Sequence, residues 1–587
     1  MKAGVVACCS IALAILGWIM DRAAIGVQLF TYGWSYGFWA NALPIVVLFL
    51  LLLVLFNRVL LAVAVTLLLM FALYFANYLK LKYLAVPVSF GDVYLLGNLH
   101  PSTFRLLAHY VKPGSLILTV LVMVAVLGIL AWKGRPFFRR GSTARICLGG
   151  VVLFFVLSLG AGSQWLGYVY DAGKLRVIPY APTMTILHDG LFGSLVYSDV
   201  ERVRAVAEPV DRSAIQALLA LPPVPEATAA SNAQRPDIVI VQSESFFDPA
   251  ILQNIDDSTT LLPNIHRALA QGVGGTMDPP TFGGGTLRTE FEVLTGVPLA
   301  AYPQVEFPYL QISRSNIPSV IQVADSAGYS TVAIHGNSGS FWNRSKAFKE
   351  IGFGQFVTKK DFPPDAGLDG RYLSDAAMTD QIIEKLNHAR SPMLIFAISI
   401  EAHGPYLDDP AADPSRRDAI PAPPGLQGNG LQEYRNYVYH ILNADRQLGR
   451  LWNFLAARGH PYVLMFYGDH LPDLPGTYKQ ASFDNNLTGP QQFVPWVIVG
   501  SNVHHRTEHV YSWMMASEIL EAAGVPRPPY YRLVATAEAG LHDGGRRQTI
   551  MQGVYSAARL YMDGRLAEFM NSASGNGGGD VASAGYH

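Results

Sequence analysis

Charge is scarce in this chain of 587 residues: Asp, Glu, Lys and Arg together supply 15% of it, against about 25% in an average soluble protein. With a mean hydropathy of +0.24, part of the chain must reside in lipid. The 43 basic and 44 acidic residues nearly cancel, so no basic domain or stripe of the kind that grips nucleic acid stands out, and nucleic acid is excluded as a partner. Cysteine is almost missing. Cys8, Cys9 and Cys147 all fall in apolar stretches, so disulfides cannot staple the polar remainder, which needs an ordinary hydrophobic core. No internal repeat is present.

The apolar excess is concentrated at the start. Runs at 3–20, 39–56, 59–78, 115–132 and 146–165 are each long enough to cross a hydrocarbon layer of roughly 30 Å. Five crossings place the two ends of this region on opposite sides of the membrane. Asn41 and Asn77 inside the runs read as helix–helix contacts rather than a transport path. The first run follows Lys2 as a signal peptide would, but four further runs point to retention. The loop between the fourth and fifth runs carries Lys133, Arg135, Arg139, Arg140 and Arg145 without an acidic residue; such a loop stays in the cytoplasm, which puts everything after residue 165 outside. Lys80, Lys82, Arg105 and Lys112 lie in the opposing loop, which is longer and includes Asp92, and they weigh less.

The boundaries that follow are a transmembrane domain at 1–165, a juxtamembrane segment and linker at 166–235, a catalytic domain at 236–545, a C-terminal helix at 546–571 and a disordered tail at 572–587. Residues 166–205 mix aromatic and charged side chains, from Trp165 through Tyr168, Tyr170 and Lys174 to Asp199, as interfacial segments do. Residues 206–235 are rich in Ala and Pro, notably Leu221 to Pro225, which suits a spacer. From 236 onward, short β-branched runs at Ile238 to Val241, Thr331 to Ile334, Met393 to Ile400 and Tyr462 to Tyr467 alternate with helical stretches such as Leu431 to Ala457. This alternation predicts an α/β domain with a mainly parallel sheet, whose ligands sit beyond the carboxyl ends of its strands.

Metal-competent groups recur at those ends: Glu244 after the first run, His335 after the second, Glu401 and His403 after the third, Asp469 and His470 after the fourth. One such group would ordinarily be a cap or a solvated side chain. Recurrence at four strand ends, in a chain with 15 histidines, points to a common site. A further loop, Pro279 to Glu290, contains Gly283, Gly284 and Gly285 immediately before Thr286. The glycines let the backbone approach a ligand closely, and Thr286 falls near a helix N-terminus, where backbone N–H groups favour phosphate. Alone, that loop would be a glycine-rich turn with Thr286 as an ordinary cap.

The ordered set Ser243-Glu244-Ser245, Thr286 with Glu290, Phe341-Trp342-Asn343-Arg344, His403 and Tyr467-Gly468-Asp469-His470 resembles lipoteichoic acid synthase and related phosphoglycerol transferases of the alkaline phosphatase/sulfatase superfamily. The resemblance implies a five-span helical membrane domain followed by an α/β alkaline-phosphatase/sulfatase-like domain. It implies that Glu244, Thr286, Asp469 and His470 bind one divalent cation, Mn²⁺ in that family, with Zn²⁺ or Mg²⁺ as alternatives. Thr286 would be the nucleophile, while Trp342, Arg344 and His403 would line the substrate, His403 doubling as general acid or base because an imidazole titrates near neutrality; His335, from its place after the second strand run, is a further substrate-binding candidate. One position departs from the family's cell-wall members, which have lysine before the threonine where this chain has Gly285.

The expected activity is extracytoplasmic transfer of phosphoglycerol or phosphoethanolamine from a membrane phospholipid, phosphatidylglycerol or phosphatidylethanolamine, to a glycan or lipid-linked hydroxyl through a phospho-threonine, at a bacterial cytoplasmic membrane. A formylglycine sulfatase is excluded, because Gly285-Thr286-Leu287-Arg288 lacks the Cys-x-Pro-x-Arg pattern. Lipid A phosphoethanolamine transferases, whose exported domains carry disulfides, match less well. A metal-dependent phosphodiesterase or phosphatase, and an inactive receptor-like protein, are the alternative readings.

Overall fold

The computed structural model describes residues 2–25, 35–84, 87–89, 92, 113–160, 163–171, 173–176, 182–207, 209–225, 235–253, 261–303, 305–312, 317–407, 409, 411–542 and 546–573. Arg105, Lys112, residues 226–234 of the expected spacer and the expected tail from 574 lie outside them. The chain divides into two compact units, Met1–Glu208 and Pro209–His587.

Long apolar runs in the first unit become helices because lipid offers no partner to backbone N–H and C=O groups, which must then pair within the segment. Helices α1 (Lys2–Ile25), α2 (Tyr36–Phe56) and α3 (Val59–Leu84) contain the three segments that, among the described residues, are long and apolar enough to span a membrane, Lys2–Ala23, Tyr36–Phe56 and Val59–Leu81. Two more apolar helices, α4 (Pro113–Lys133) and α5 (Thr143–Gly160), lie over the fourth and fifth runs expected from hydropathy. Leu60, Phe71, Trp132, Ile146 and Val151 are exposed on these helices, as lipid-facing side chains would be.

The two ends of this bundle differ chemically. At one end the α2–α3 turn meets the α4–α5 loop: Asn57 Nδ2 donates to Phe138 O, Arg58 Nε to Gly134 O and Arg145 Nη2 to Val54 O. Lys2 reaches Phe137 O there as well. Another set of contacts gathers around Asp21. Its carboxylate accepts from Asn41 Nδ2 at 2.8 Å, Tyr74 OH at 2.9 Å and Leu191 N at 2.9 Å. Leu191 opens helix α7 (Leu191–Ala207), which follows α6 (Pro182–Asp189) across Gly190. Gly190 has φ of +72°, and a Cβ there would lie 2.1 Å from Asn41 Cγ, so only glycine lets this elbow close over Asn41.

The second unit is built on an eight-stranded sheet: β1 (Asp237–Ser243), β2 (Val273–Asp278), β3 (Ser330–His335), β4 (Gln355–Thr358), β5 (Met393–Ile398), β6 (Tyr462–Gly468), β7 (Val494–Gly500) and β8 (Arg506–Tyr511). Their spatial order is β8-β2-β7-β6-β1-β5-β3-β4. Only β7 runs against the rest, pairing antiparallel with both β2 and β6. Every residue of β5 is buried, so both faces of the sheet centre are covered, as parallel strands require. The helices that matter for the site are α8 (Thr286–Thr295), α9 (Asp375–Asn387), α10 (Gly428–Ala457), α11 (Met515–Ala522) and α12 (Pro529–His542). Part of the expected Ala/Pro spacer is helical, at Arg212–Leu219, with Asp211 as its cap.

The loop that leaves β5 is held to α10 by charge. Glu401 Oε1 lies 3.0 Å from His440 Nδ1, and Asp409 Oδ2 lies 2.9 Å from His440 Nε2, so one imidazole on α10 bridges two carboxylates of the loop that carries His403. Asn443 Nδ2 also donates to Glu401, as does Asp375 N at the start of α9. Burial opposes a charge on His440, but hydrogen bonds to Asp409 and Glu401 outweigh it and push its pKa up to about 9. The imidazole is therefore a cation at neutral pH. Because its folded pKa exceeds the unfolded value of about 6.5, its contribution to stability is complete below that value and disappears as the pH rises through about 9. His440→Ala is expected to cost about 3–5 kcal/mol at pH 6, because it strands two buried carboxylates, and much less at pH 10. Guanidinium unfolding of the detergent-solubilised protein at both pH values checks this, and an equal loss at both would mean that the ring is neutral.

Candidate active site

Glu244 stands one residue beyond β1 and Asp469 one residue beyond β6. The two strands are parallel neighbours in a register that pairs Ser243 with Gly468, so the ladder itself sets both carboxylates side by side, with His470 next. Thr286 arrives from elsewhere in the chain as the first residue of α8. Its Oγ donates to Glu244 Oε2 at 3.3 Å. His470 Nε2 lies 3.6 Å from Glu244 Oε1 and 3.4 Å from Asp469 Oδ2. Thus the four residues expected to share a cation do converge, and all four are buried.

The hydrogen bonds around them leave a particular set of atoms over. His470 Nδ1 is 2.9 Å from Leu471 O; a carbonyl can only accept, so Nδ1 carries a proton and the neutral form of the ring presents its lone pair at Nε2. That Nε2 and Asp469 Oδ2 are buried without a hydrogen-bond partner among the described residues. Orphaned buried acceptors cost free energy unless something pairs with them. Ligand atoms of Glu244, Asp469 and His470 all lie within 4.8 Å of one another. Two carboxylates, one imidazole lone pair and a hydroxyl form a donor set that suits Mn²⁺, Zn²⁺ or Mg²⁺, so the residues present fit a divalent cation. Burial pushes the Asp469 carboxyl up to about 7, with His470 opposing the rise and Glu244 adding to it.

A surrounding layer fixes these side chains. Asp469 Oδ1 accepts from Ser245 N at 2.7 Å and His470 N at 2.9 Å, while Ser245 Oγ donates to Glu244 Oε1 at 2.9 Å. Ser245 does so with φ at +53°, an uncommon conformation for a residue with a Cβ and one often found at functional sites. Tyr437 OH secures Ser245 O at 2.6 Å, Thr289 Oγ secures Asp469 O at 2.7 Å, and Ser399 Oγ accepts from Glu244 N at 3.1 Å. Sequence reasoning assigned no role to Ser245, Thr289, Ser399 or Tyr437. Only Thr289, three residues along α8 from Thr286 and hence on the same helix face, left a usable signal.

The glycine loop enters with φ of +69° at Gly283, +154° at Gly284 and +80° at Gly285. A Cβ on Gly285 would come within 2.8 Å of Thr281 Oγ, so a lysine here would be both strained and crowded. Glycine at position 285 is thus built into the local backbone.

The remaining expected residues take distinct positions. Arg344 is buried and grips Glu290 with two nitrogens, Nε at 3.1 Å and Nη2 at 2.9 Å from Oε2. Glu290 lies one helical turn beyond Thr286, so this pair pins α8 to the 341–344 loop. That loop needs the pin, since Trp342 and Asn343 both have positive φ, +55° and +60°. Trp342 stacks on Phe307 with ring centroids 5.2 Å apart. His335 is buried, its Nδ1 3.2 Å from Ile398 O and its Nε2 without a hydrogen-bond partner among the described residues. Burial, and then the charge of Arg344, hold its pKa well below the usual value, so it is neutral. His403 is partly buried, with Nδ1 2.8 Å from Gly404 O and 3.5 Å from Tyr372 OH. Arg344 feels the charge of Glu244, and His335 those of Arg344 and His403. Trp342 packs against the rings of Phe307 and Phe341.

Comparison with known proteins places this geometry in context. Residues 236–525 match the Sulfatase family model. A proposed cyclic beta-1,2-glucan modification protein of Rhizobium meliloti is 28% identical over 384 residues, 64% of this chain and 57% of the relative. Lipoteichoic acid synthase 1 of Bacillus subtilis is 22% identical over 410 residues, again 64% of this chain and 57% of the relative. The matched part of the chain thus spans less than two thirds of the length of these curated relatives. Among solved structures, the Streptococcus pyogenes phosphoglycerol transferase GacH in complex with sn-glycerol-1-phosphate aligns with a TM-score of 0.51 at 18% identity, covering 62% of this chain and 96% of that one; this likeness is one of fold. Residues 236–525 are a sulfatase-family domain, and lipoteichoic acid synthases are among the chain's relatives.

Proposed function

We propose that this protein moves phosphoglycerol or phosphoethanolamine from a membrane phospholipid to a glycan or lipid-linked hydroxyl outside the cytoplasm, through a covalent adduct on Thr286. The convergence of Glu244, Thr286, Asp469 and His470, with His470 Nε2 and Asp469 Oδ2 left over as buried acceptors, carries the proposal. Glu244, Asp469, His470 and Thr286 Oγ would hold one divalent cation, Mn²⁺ on the family resemblance. When bound, such an ion lowers the pKa of a hydroxyl and offsets phosphate charge.

The chain's own residues do the rest. Thr286 Oγ forms a bond to the phospholipid phosphorus as the bond from phosphorus to the diacylglycerol oxygen breaks, and that oxygen leaves with a proton. The acceptor hydroxyl then attacks the same phosphorus, and Thr286 regains its proton as its oxygen is released. His403 is the proton carrier on this scheme. His335, neutral and with a free Nε2, can accept a hydrogen bond from a head-group hydroxyl or ammonium, and Trp342 offers a ring at the substrate. Arg344 balances Glu290 and positions α8, whose first residue is the nucleophile. At Gly285 the chain presents bare backbone to the donor head group instead of a cationic side chain.

Membrane topology supports the same reading. We take α1 to α5 as five spans, with 1–165 the membrane domain, 166–235 the connecting segment and 236–545 the catalytic domain; the segment expected as a single C-terminal helix at 546–571 is instead two helices, Arg547–Met562 and Leu566–Ala573. Lys2 and Arg58 bond to the 134–138 backbone and Arg145 to Val54 O, which brings several cations to one end of the bundle, the end expected to face the cytoplasm. A donor phosphate at the bilayer surface is then the natural substrate for a domain outside, where nucleotide donors are lacking.

Thr286→Ala is expected to reduce diacylglycerol release from head-group-labelled phospholipid by on the order of 10⁴-fold, as loss of a catalytic nucleophile does elsewhere; undiminished release would sink the covalent scheme. Asp469→Asn should weaken Mn²⁺ binding at least about tenfold, read by equilibrium dialysis of the purified protein, and an unchanged affinity would remove Asp469 from the ligand set.

A further inference from the structure

Far along the sheet from the residues just described, the edge strand β8 and helices α11 and α12 each contribute one glutamate to a second cluster: Glu508, Glu518 and Glu538. One carboxylate oxygen from each lies within 4.8 Å of the other two. Glu518 and Glu538 are buried, 5% and 7% exposed, and the Glu508 side chain is 15% exposed. These are therefore not solvated surface acids.

A single guanidinium serves the cluster and does not satisfy it. Arg506 places Nε 2.6 Å from Glu508 Oε1 and Nη2 2.9 Å from Glu518 Oε2. Arg527, the next cation, is directed at Glu521 and Ser517 Oγ instead. Two of the remaining oxygens, Glu538 Oε1 and Glu508 Oε2, are buried and without a hydrogen-bond partner among the described residues. With all three acids ionised and Arg506 charged, the cluster carries a net charge of −2. Held among protein groups alone, it must take up protons: burial, then the charge of Glu518, raises Glu538 well above the usual range, and burial lifts Glu518 to about 7.

We propose that Glu508, Glu518 and Glu538 form a second cation site, selective for a hard, oxygen-seeking divalent ion of the calcium class, that ties the edge strand β8 to α11 and α12. The donor chemistry supports this, since three carboxylates and no nitrogen or sulfur ligand favour Ca²⁺ or Mg²⁺ over softer ions. Ca²⁺ suits the site better, because its flexible coordination at about 2.3–2.6 Å accepts carboxylates brought in by three separate elements, whereas Mg²⁺ demands near-ideal octahedral geometry and usually keeps several waters. A divalent ion would neutralise the net −2 and give the two orphaned oxygens a partner. It would also fasten a strand that otherwise ends the sheet with polar residues, Arg506 to His509, and that among the described residues pairs with β2 alone.

The test uses the full chain in detergent, stripped with chelator, with Asp469→Asn as background so that the first cluster contributes little. Equilibrium dialysis with radioactive calcium alone should show one equivalent bound in that background. Adding Glu538→Gln, or separately Glu508→Gln, should weaken it at least tenfold. Glu538→Gln replaces a buried acid by a neutral side chain of the same shape and is expected to fold; Glu508→Gln, on the partly exposed strand, is the second variant if it does not. Both glutamine variants should also lose the rise in unfolding midpoint that Ca²⁺ gives the Asp469→Asn protein. Absence of a bound equivalent at 10 mM free Ca²⁺, or binding that survives either substitution unchanged, overturns the proposal and leaves a carboxyl pair sharing a proton.

Discussion

The register of one pair of parallel strands underlies the whole site. Because β1 and β6 are neighbours with Ser243 opposite Gly468, their chains leave the sheet at the same level, and the next residues, Glu244 and Asp469, are forced together. Like charges brought this close repel, and both are buried, so the arrangement is unfavourable on its own. It is sustained by everything arranged around it: the N–H groups of Ser245 and His470 on Asp469, the hydroxyl of Thr286 on Glu244, and the imidazole of His470 facing both. Local instability of this kind is what a cation or phosphate site requires, since a constellation already at rest has nothing to gain from a ligand.

The next layer explains how four segments distant in sequence stay registered to within ångströms. The buried Glu290–Arg344 pair holds α8 against a loop with two strained residues, and His440 holds the loop after β5 against α10. Neither ion pair need add net stability over an apolar core. Their worth is directional, for each fixes the entry of one functional side chain, Thr286 in the first case and His403 in the second. Three glycines before Thr286 complete the frame by letting the chain pass close to Thr281 and Leu471.

Much of this was legible in the sequence, for reasons that can be named. Runs such as Ile238 to Val241 and Tyr462 to Tyr467 are β-branched and aromatic, bury both faces and end in polar residues, so strand and ligand were visible together. β2 was hidden by Gly274 and Gly275, β7 by Pro495 near its start, and β8 by its polar composition, so the edge of the sheet escaped notice. Arg344 was expected to line the substrate phosphate; only the structure shows its fork closed on Glu290. His440 looks like any residue in the middle of a long helix. Glu508, Glu518 and Glu538 sit ten and twenty residues apart on three elements, a spacing that no local motif contains. In the membrane part, hydropathy marked five runs, while among the described residues three helices are long and apolar enough to cross a membrane.

The central claim is that Thr286 carries the transferred group. Purified protein supplied with phosphatidylglycerol or phosphatidylethanolamine and Mn²⁺, quenched in acid without an acceptor, then digested and sequenced by mass spectrometry, tests it most directly. The account predicts glycerophosphate or phosphoethanolamine on the peptide containing Gly285-Thr286-Leu287, at Thr286 itself. Diacylglycerol formation with that peptide unmodified, or with the label on another residue, would contradict it.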